Sequence, residues 1–166
     1  MRTYQEHRGN IQSGDLIAFS NMKWKSWHDL KIQFVKFVLQ TEYSHVAIAW
    51  VVGDRVFAME AVEPCARIYP LSKLGDFYHI PLNGEWTPEV EEKALAFVGS
   101  EYKQLRAIRA FFTPLEKDEA SQCAALAIAI ASKMGIDLGN RATPDEVVLQ
   151  AQQQGSPTYY VRNESK

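Results

Sequence analysis

Glu119-Ala-Ser-Gln-Cys123-Ala-Ala-Leu-Ala-Ile-Ala-Ile-Ala131 is the stretch from which the fold is read. Apolar residues fill nearly every position from Ala124 to Ala131, which predicts a helix buried on most sides. Gly135 is its expected stop, and Ser121 or Asp118 its expected cap. Asp118 and Glu119 suit the positive end of the helix dipole. Cys123 then falls in the first turn, where the dipole and the free backbone N–H groups favour a thiolate. The alternative is a small buried residue on an apolar helix, which is what most free cysteines are. A reactive thiolate needs a base nearby, so the rest of the chain is searched for one.

Working outward, Ser13-Gly14-Asp15 predicts a turn and Leu16–Phe19 a short strand. Val46–Val52 and Arg55–Val62 predict a hairpin about Gly53-Asp54, with Pro64 ending its second arm. Phe77–Ile80 and Pro157–Val161 are further expected strands. Thr87-Pro88 and Thr143-Pro144 each place a cap before a proline, opening helices that should end near Gly99 and Gly155. Tyr102–Phe112 is another expected helix. Trp24, Trp27, Leu30, Phe34 and Val38 recur at helical spacing with lysines between them. That pattern predicts an amphipathic helix packed on the core, with a lipid-surface helix as the alternative. No internal repeat or linker interrupts residues 1–166, so they are taken as a single α+β domain.

Composition narrows the partners. The net charge of −2 gives no bias toward nucleic acid. Two cysteines make no disulfide framework, and the histidines and cysteines lack the paired spacings of zinc ligands. Neither a metal nor another cofactor is therefore expected. The N-terminal run Met1–Gly9 has no apolar signal region, and the run Ala124–Ala131 is too short to span a membrane. The expectation is a cytoplasmic or virion-associated protein, with a membrane surface not favoured and the oligomeric state left open.

His45 stands at the start of a strong apolar strand, and Glu60 lies inside the apolar run of the next one. A carboxylate there is costly unless partnered, and holding one imidazole nitrogen is such a partnership. Pairing across Gly53-Asp54 brings the two within a diagonal of each other. Ala47 and Ala49 share the face of His45, and their small size leaves room for the cysteine helix to approach there. The competing arrangement pairs Glu60 with an arginine such as Arg67 and leaves His45 in solvent. Cys65, His79, His7 and His28 are set aside: Cys65 follows Pro64 in a loop or strand end, His79 has no evident carboxylate, and His7 and His28 lie among charged surface residues.

The order Gly14-Asp15-Leu-Ile, Ser44-His45-Val-Ala-Ile, Glu60-Ala and Cys123 on a helix resembles the circularly permuted NlpC/P60 superfamily of papain-like cysteine enzymes. Gly99-Ser-Glu-Tyr102 is similar to the family's Gly-x-x-Tyr segment, and Thr143-Pro144-Asp145 to a stretch that often follows the cysteine helix in permuted members. Gln122-Cys123-Ala124 departs from the family's Asp-Cys-Ser, and the glycine pair after the tyrosine motif is missing. The resemblance implies a permuted papain-like fold, an antiparallel sheet with the cysteine helix packed on it. It implies Cys123 as nucleophile, His45 as base and Glu60 as the group orienting it, with Tyr102, Ser44 and Gln122 near substrate. The implied reaction is cleavage of an amide or isopeptide bond, above all in cell-wall peptides. Lipid-directed acyl hydrolases and acyltransferases share the permuted fold, and a non-catalytic binding module is the remaining alternative.

Overall fold

The computed structural model describes residues 2–20, 42–101, 122–140 and 143–163. Among them, seven strands form one sheet in a mixed α+β fold: β1 (Arg2–Thr3), β2 (Leu16–Phe19), β3 (His45–Val52), β4 (Arg55–Val62), β5 (Cys65–Pro70), β6 (Phe77–Ile80) and β7 (Tyr159–Arg162). Their spatial order is β1-β7-β6-β2-β3-β4-β5. Neighbours are antiparallel except β1 and β7, which run parallel. The expected antiparallel sheet is thus corrected at one edge. No tight turn joins that pair, since the first strand docks beside the last and the whole intervening chain is the connection.

The β3–β4 hairpin has the register of a two-residue turn, with Ile48 opposite Met59 and Val52 opposite Arg55. Gly53 takes the positive φ of 61° that such a turn requires. Pro64 does end β4, but the segment after it is not the loop expected from sequence. Glu63-Pro64 is itself a hairpin turn, and β5 pairs with β4 from Val62–Cys65 to Phe57–Pro70. β5 ends the sheet, and its outer edge is met by the segment Gly99–Glu101: Ala66 N–H donates to the Ser100 carbonyl at 3.1 Å and Gly99 N–H to the Ala66 carbonyl at 2.8 Å.

Four helices accompany the sheet among the described residues: α1 (Tyr4–His7), α2 (Pro88–Leu95), α3 (Gln122–Lys133) and α4 (Pro144–Gln153). The Thr87 and Thr143 side chains accept the N–H groups of Val90 and Glu146, as their cap-plus-proline patterns predict. Gly135, at φ 77°, follows α3. The cap of α3 and the helices expected over 24–38 and 102–112 lie outside the described residues.

The sheet separates two apolar layers. α3 is buried continuously from Gln122 to Ala131 and packs with α4 against Leu16, Val46, Ile48, Met59 and Ala61. On the other face Ala47, Ala49, Ala58 and Phe77 meet Tyr4 and Ile11 of the N-terminal segment. The cysteine helix therefore does not lie over Ala47 and Ala49. It covers the larger side chains of the opposite parity, where more apolar area leaves water.

A buried polar chain ties the N-terminal segment to the sheet. Asp15 accepts the N–H groups of Gln12 (2.8 Å) and Leu82 (3.0 Å) and the Nε2–H of His79 (2.8 Å). His79 Nδ1 then accepts from His7 Nε2 at 2.9 Å, and His7 Nδ1 faces Arg2 Nη1 at 3.4 Å. Arginine can only donate and a carboxylate only accept, so one tautomer of each ring satisfies the whole chain. Two expectations are overturned here. His79 has a carboxylate, supplied from β2's lead-in because Ile17 pairs with His79. His7 is fully buried, because the capped turn of α1 folds it inward against β6.

Candidate active site

His45 is the first residue of β3, Glu60 lies near the end of β4, and Cys123 is the second described residue of α3. The three meet at element ends. By strand alternation His45 shares the face opposite α3, and its ring lies 5.7 Å from that of Phe19. Its place at the strand terminus brings the imidazole close enough to Cys123 for that residue to help raise its pKa. His45 Nε2 donates to Glu60 Oε2 at 2.8 Å. An ionised carboxylate cannot donate, so the proton on Nε2 is fixed and Nδ1 is the nitrogen left for the thiol.

Glu60 has a second partner. Its Oε1 accepts from Arg67 Nε at 2.8 Å, and Arg67 Nη2 forms an ion pair with the same oxygen at 2.7 Å. The arrangement that sequence presents as an alternative, a Glu60–Arg67 pair, coexists with the His45 contact because the carboxylate has one oxygen for each. Glu60 is 3% exposed, His45 23% and Arg67 44% at the side chain, so the cluster runs from buried acid to solvent-facing base and arginine.

The electrostatics follow from these contacts. Burial works against a charged His45 and is the largest single influence. The hydrogen bonds to Cys123 and Glu60 and the charges of both outweigh it together, and the imidazole is raised from 6.5 to about 9. For Glu60, burial again opposes charge. The bonds to His45 and Arg67 prevail and hold the carboxyl below its ordinary value.

The surroundings hold the site in place. Asp145, just inside α4, accepts the N–H groups of Glu42 (2.8 Å) and Tyr43 (2.9 Å), fixing the chain two residues before His45. The Ser44 hydroxyl donates to the Phe19 carbonyl at 3.2 Å, so its proton serves the turn into β3. Gln122 is buried beside Cys123, and its Oε1 has no hydrogen-bond partner among the described residues. Tyr102 lies outside the described residues. Cys65 is half-buried on β5, opposite Val62. Among the described residues no three His, Cys, Asp or Glu side chains group to hold a metal ion. No helix there is long and apolar enough to cross a membrane.

Sequence offers Arg67 only as a rival to His45 for Glu60, and the structure joins both to it. The signal for the Arg67 pairing was present: a two-residue turn at Glu63-Pro64 pairs positions summing to 127, hence Glu60 with Arg67.

No family model and no curated protein matches the chain. Among solved structures it is similar to the metalloprotein YiiX from Escherichia coli O157:H7, at 17% identity and a TM-score of 0.49, over 78% of this chain and 69% of that one.

Proposed function

We propose that this protein is a thiol-dependent hydrolase of amide or isopeptide bonds, with a permuted papain-like (NlpC/P60) arrangement and cell-wall peptides as its substrate class. The observation that carries the proposal is the single imidazole held by Glu60 at 2.8 Å through Nε2, whose pKa the neighbouring Cys123 helps to raise. Nucleophile, base and orienting carboxylate are the set that acyl transfer through a thioester needs. The substrate class comes from the sequence resemblance.

In this scheme the thiol proton passes to His45 Nδ1, and the imidazolium is stabilised by Glu60. Cys123 Sγ attacks the carbonyl carbon, and the carbonyl electron pair moves onto oxygen. The Cys123 backbone N–H is the expected donor to that oxyanion. Collapse re-forms the carbonyl and breaks the C–N bond, and His45 gives its proton to the leaving nitrogen. Water, deprotonated by the now neutral His45, attacks the thioester. The thiolate leaves, the acid product is released, and the imidazolium–thiolate pair is restored. Only the chain and water take part.

The test is a substrate panel of muropeptides and phospholipid vesicles, with Cys123→Ala as control. The expected result is Cys123-dependent release of new amino groups from muropeptides and none of fatty acid. Fatty-acid release without muropeptide cleavage would move the protein to the lipid-directed branch.

A further inference from the structure

We propose that Arg67 is a positioning residue of this site, holding Glu60 in the one orientation that aims His45 at Cys123 and moderating the charge that Glu60 presents to the imidazole. This rests on the assignment of His45 as the base.

The geometry is specific. Nε and Nη2 of one guanidinium converge on Glu60 Oε1 at 2.8 and 2.7 Å, and Oε2 meets His45. Two nitrogens of one planar guanidinium fork hold Oε1 in place more closely than a single mobile point charge would. Arg67 is itself held. It stands directly opposite Glu60 in the β4–β5 register, and its guanidinium carbon lies 4.7 Å from the Tyr69 ring centroid. Arg67 is half-exposed, so its contribution is partly screened by solvent.

The charges around the pair give the sign of its effect. Glu60 faces His45 from β3 and Arg67 from β5. His45 faces, besides Glu60, Cys123 from α3 and the uncharged ring of Phe19 from β2. Arg67 is therefore the fixed positive charge of the cluster, and it offsets part of the Glu60 charge that favours imidazolium. Removing it strengthens the hold of Glu60 on the His45 proton and frees the carboxylate to turn. The two consequences separate in experiment: the first moves a titration, the second slows a reaction.

The measurement is NMR titration of the His45 imidazole, read beside the rate of Cys123 alkylation by iodoacetamide. Neither requires a substrate. Arg67→Gln is expected to hold the His45 proton to higher pH than the wild type and to slow alkylation by about tenfold through lost aim. Arg67→Lys keeps the charge and loses the fork, so the titration stays near the wild-type position while alkylation still slows. In a Glu60→Gln background Arg67→Gln adds no further slowing of alkylation, since the positioning acts through one carboxylate. An unmoved His45 titration in Arg67→Gln would overturn the electrostatic role. If that variant does not fold, Arg67→Lys decides, and wild-type alkylation there would overturn the positioning role. A wild type that alkylates at Cys123 yet hydrolyses no peptide would sink the hydrolase assignment and leave the Arg67 result standing.

Discussion

His45 and Glu60 are joined by a 2.8 Å hydrogen bond along a diagonal of the β3–β4 hairpin. The register that pairs Ile48 with Met59 sets Glu60 against Ala47, two residues from His45 and on the same face. Alanine at the intervening position leaves the diagonal open. The two side chains then have separable duties, one moving the proton and the other fixing the ring. His45→Ala is expected to lower turnover by about 10²–10⁴-fold, because the base is gone. Glu60→Gln is expected to cost about tenfold, since its amide oxygen still accepts from Nε2 but the counter-charge is lost. Steady-state rates of the two variants check this ranking. Equal losses would mean that Glu60 does more than orient.

Two histidines give stability opposite pH slopes. His45 is raised from 6.5 to about 9, so its contribution is complete below about pH 6.5 and is lost as pH rises toward 9. His7 is lowered, by burial first and then by the nearby His79 and Arg2. Its contribution is complete above the unfolded value of 6.5 and is lost as pH falls through the folded one. Protonated His7 would turn a donor toward Arg2 and break the Arg2 end of the chain, while its Nε2 still donates to His79. Denaturant midpoints measured across this range are expected to peak near neutrality. His45→Gln should remove the alkaline slope and leave the acidic one. A wild type with no alkaline slope would mean that native His45 is neutral.

Much of this frame is legible in the residues. The Gly53-Asp54 turn sets a register that predicts the His45–Glu60 diagonal, and alternation predicts their common face. Thr87-Pro88 and Thr143-Pro144 mark two helix starts because cap and proline act locally. What stays hidden depends on distant pairing. Asp15 and His79 meet only because β2 lies beside β6, and His7 is buried only because the chain's first strand docks on its last. That Arg67 and His45 share Glu60 is not legible, because Pro64 ends one strand and turns directly into the next. Small alanines do not mark the side of the sheet that α3 covers, because the larger residues of the opposite parity hold the greater apolar area.

Asp145 gives the Thr143-Pro144-Asp145 stretch a physical task. One carboxylate oxygen holds two backbone N–H groups just ahead of Ser44 and His45. Asp145→Ala leaves both donors without that acceptor and is expected to cost about 1–3 kcal/mol. Because α4 and the start of β3 are joined there, turnover should fall along with stability. Denaturant titration and rate measurement on the same preparation check the link. A variant that loses stability and keeps full turnover would show that His45 is held from elsewhere.

The most direct test of the central claim compares the two thiols. Cys123 is 5% exposed, whereas Cys65 is only half-buried on an edge strand, so access alone favours Cys65. An imidazolium partner reverses that order, since the thiolate is the reacting species. The measurement is site-resolved alkylation by iodoacetamide from about pH 5 to about pH 9, read by mass spectrometry on native wild type and His45→Ala. The account predicts that Cys123 reacts first, keeps its rate on the acidic side where an ordinary thiol is inert, and loses that advantage in His45→Ala. Faster labelling of Cys65, or a Cys123 rate that follows ordinary thiol ionisation and ignores His45, would contradict it.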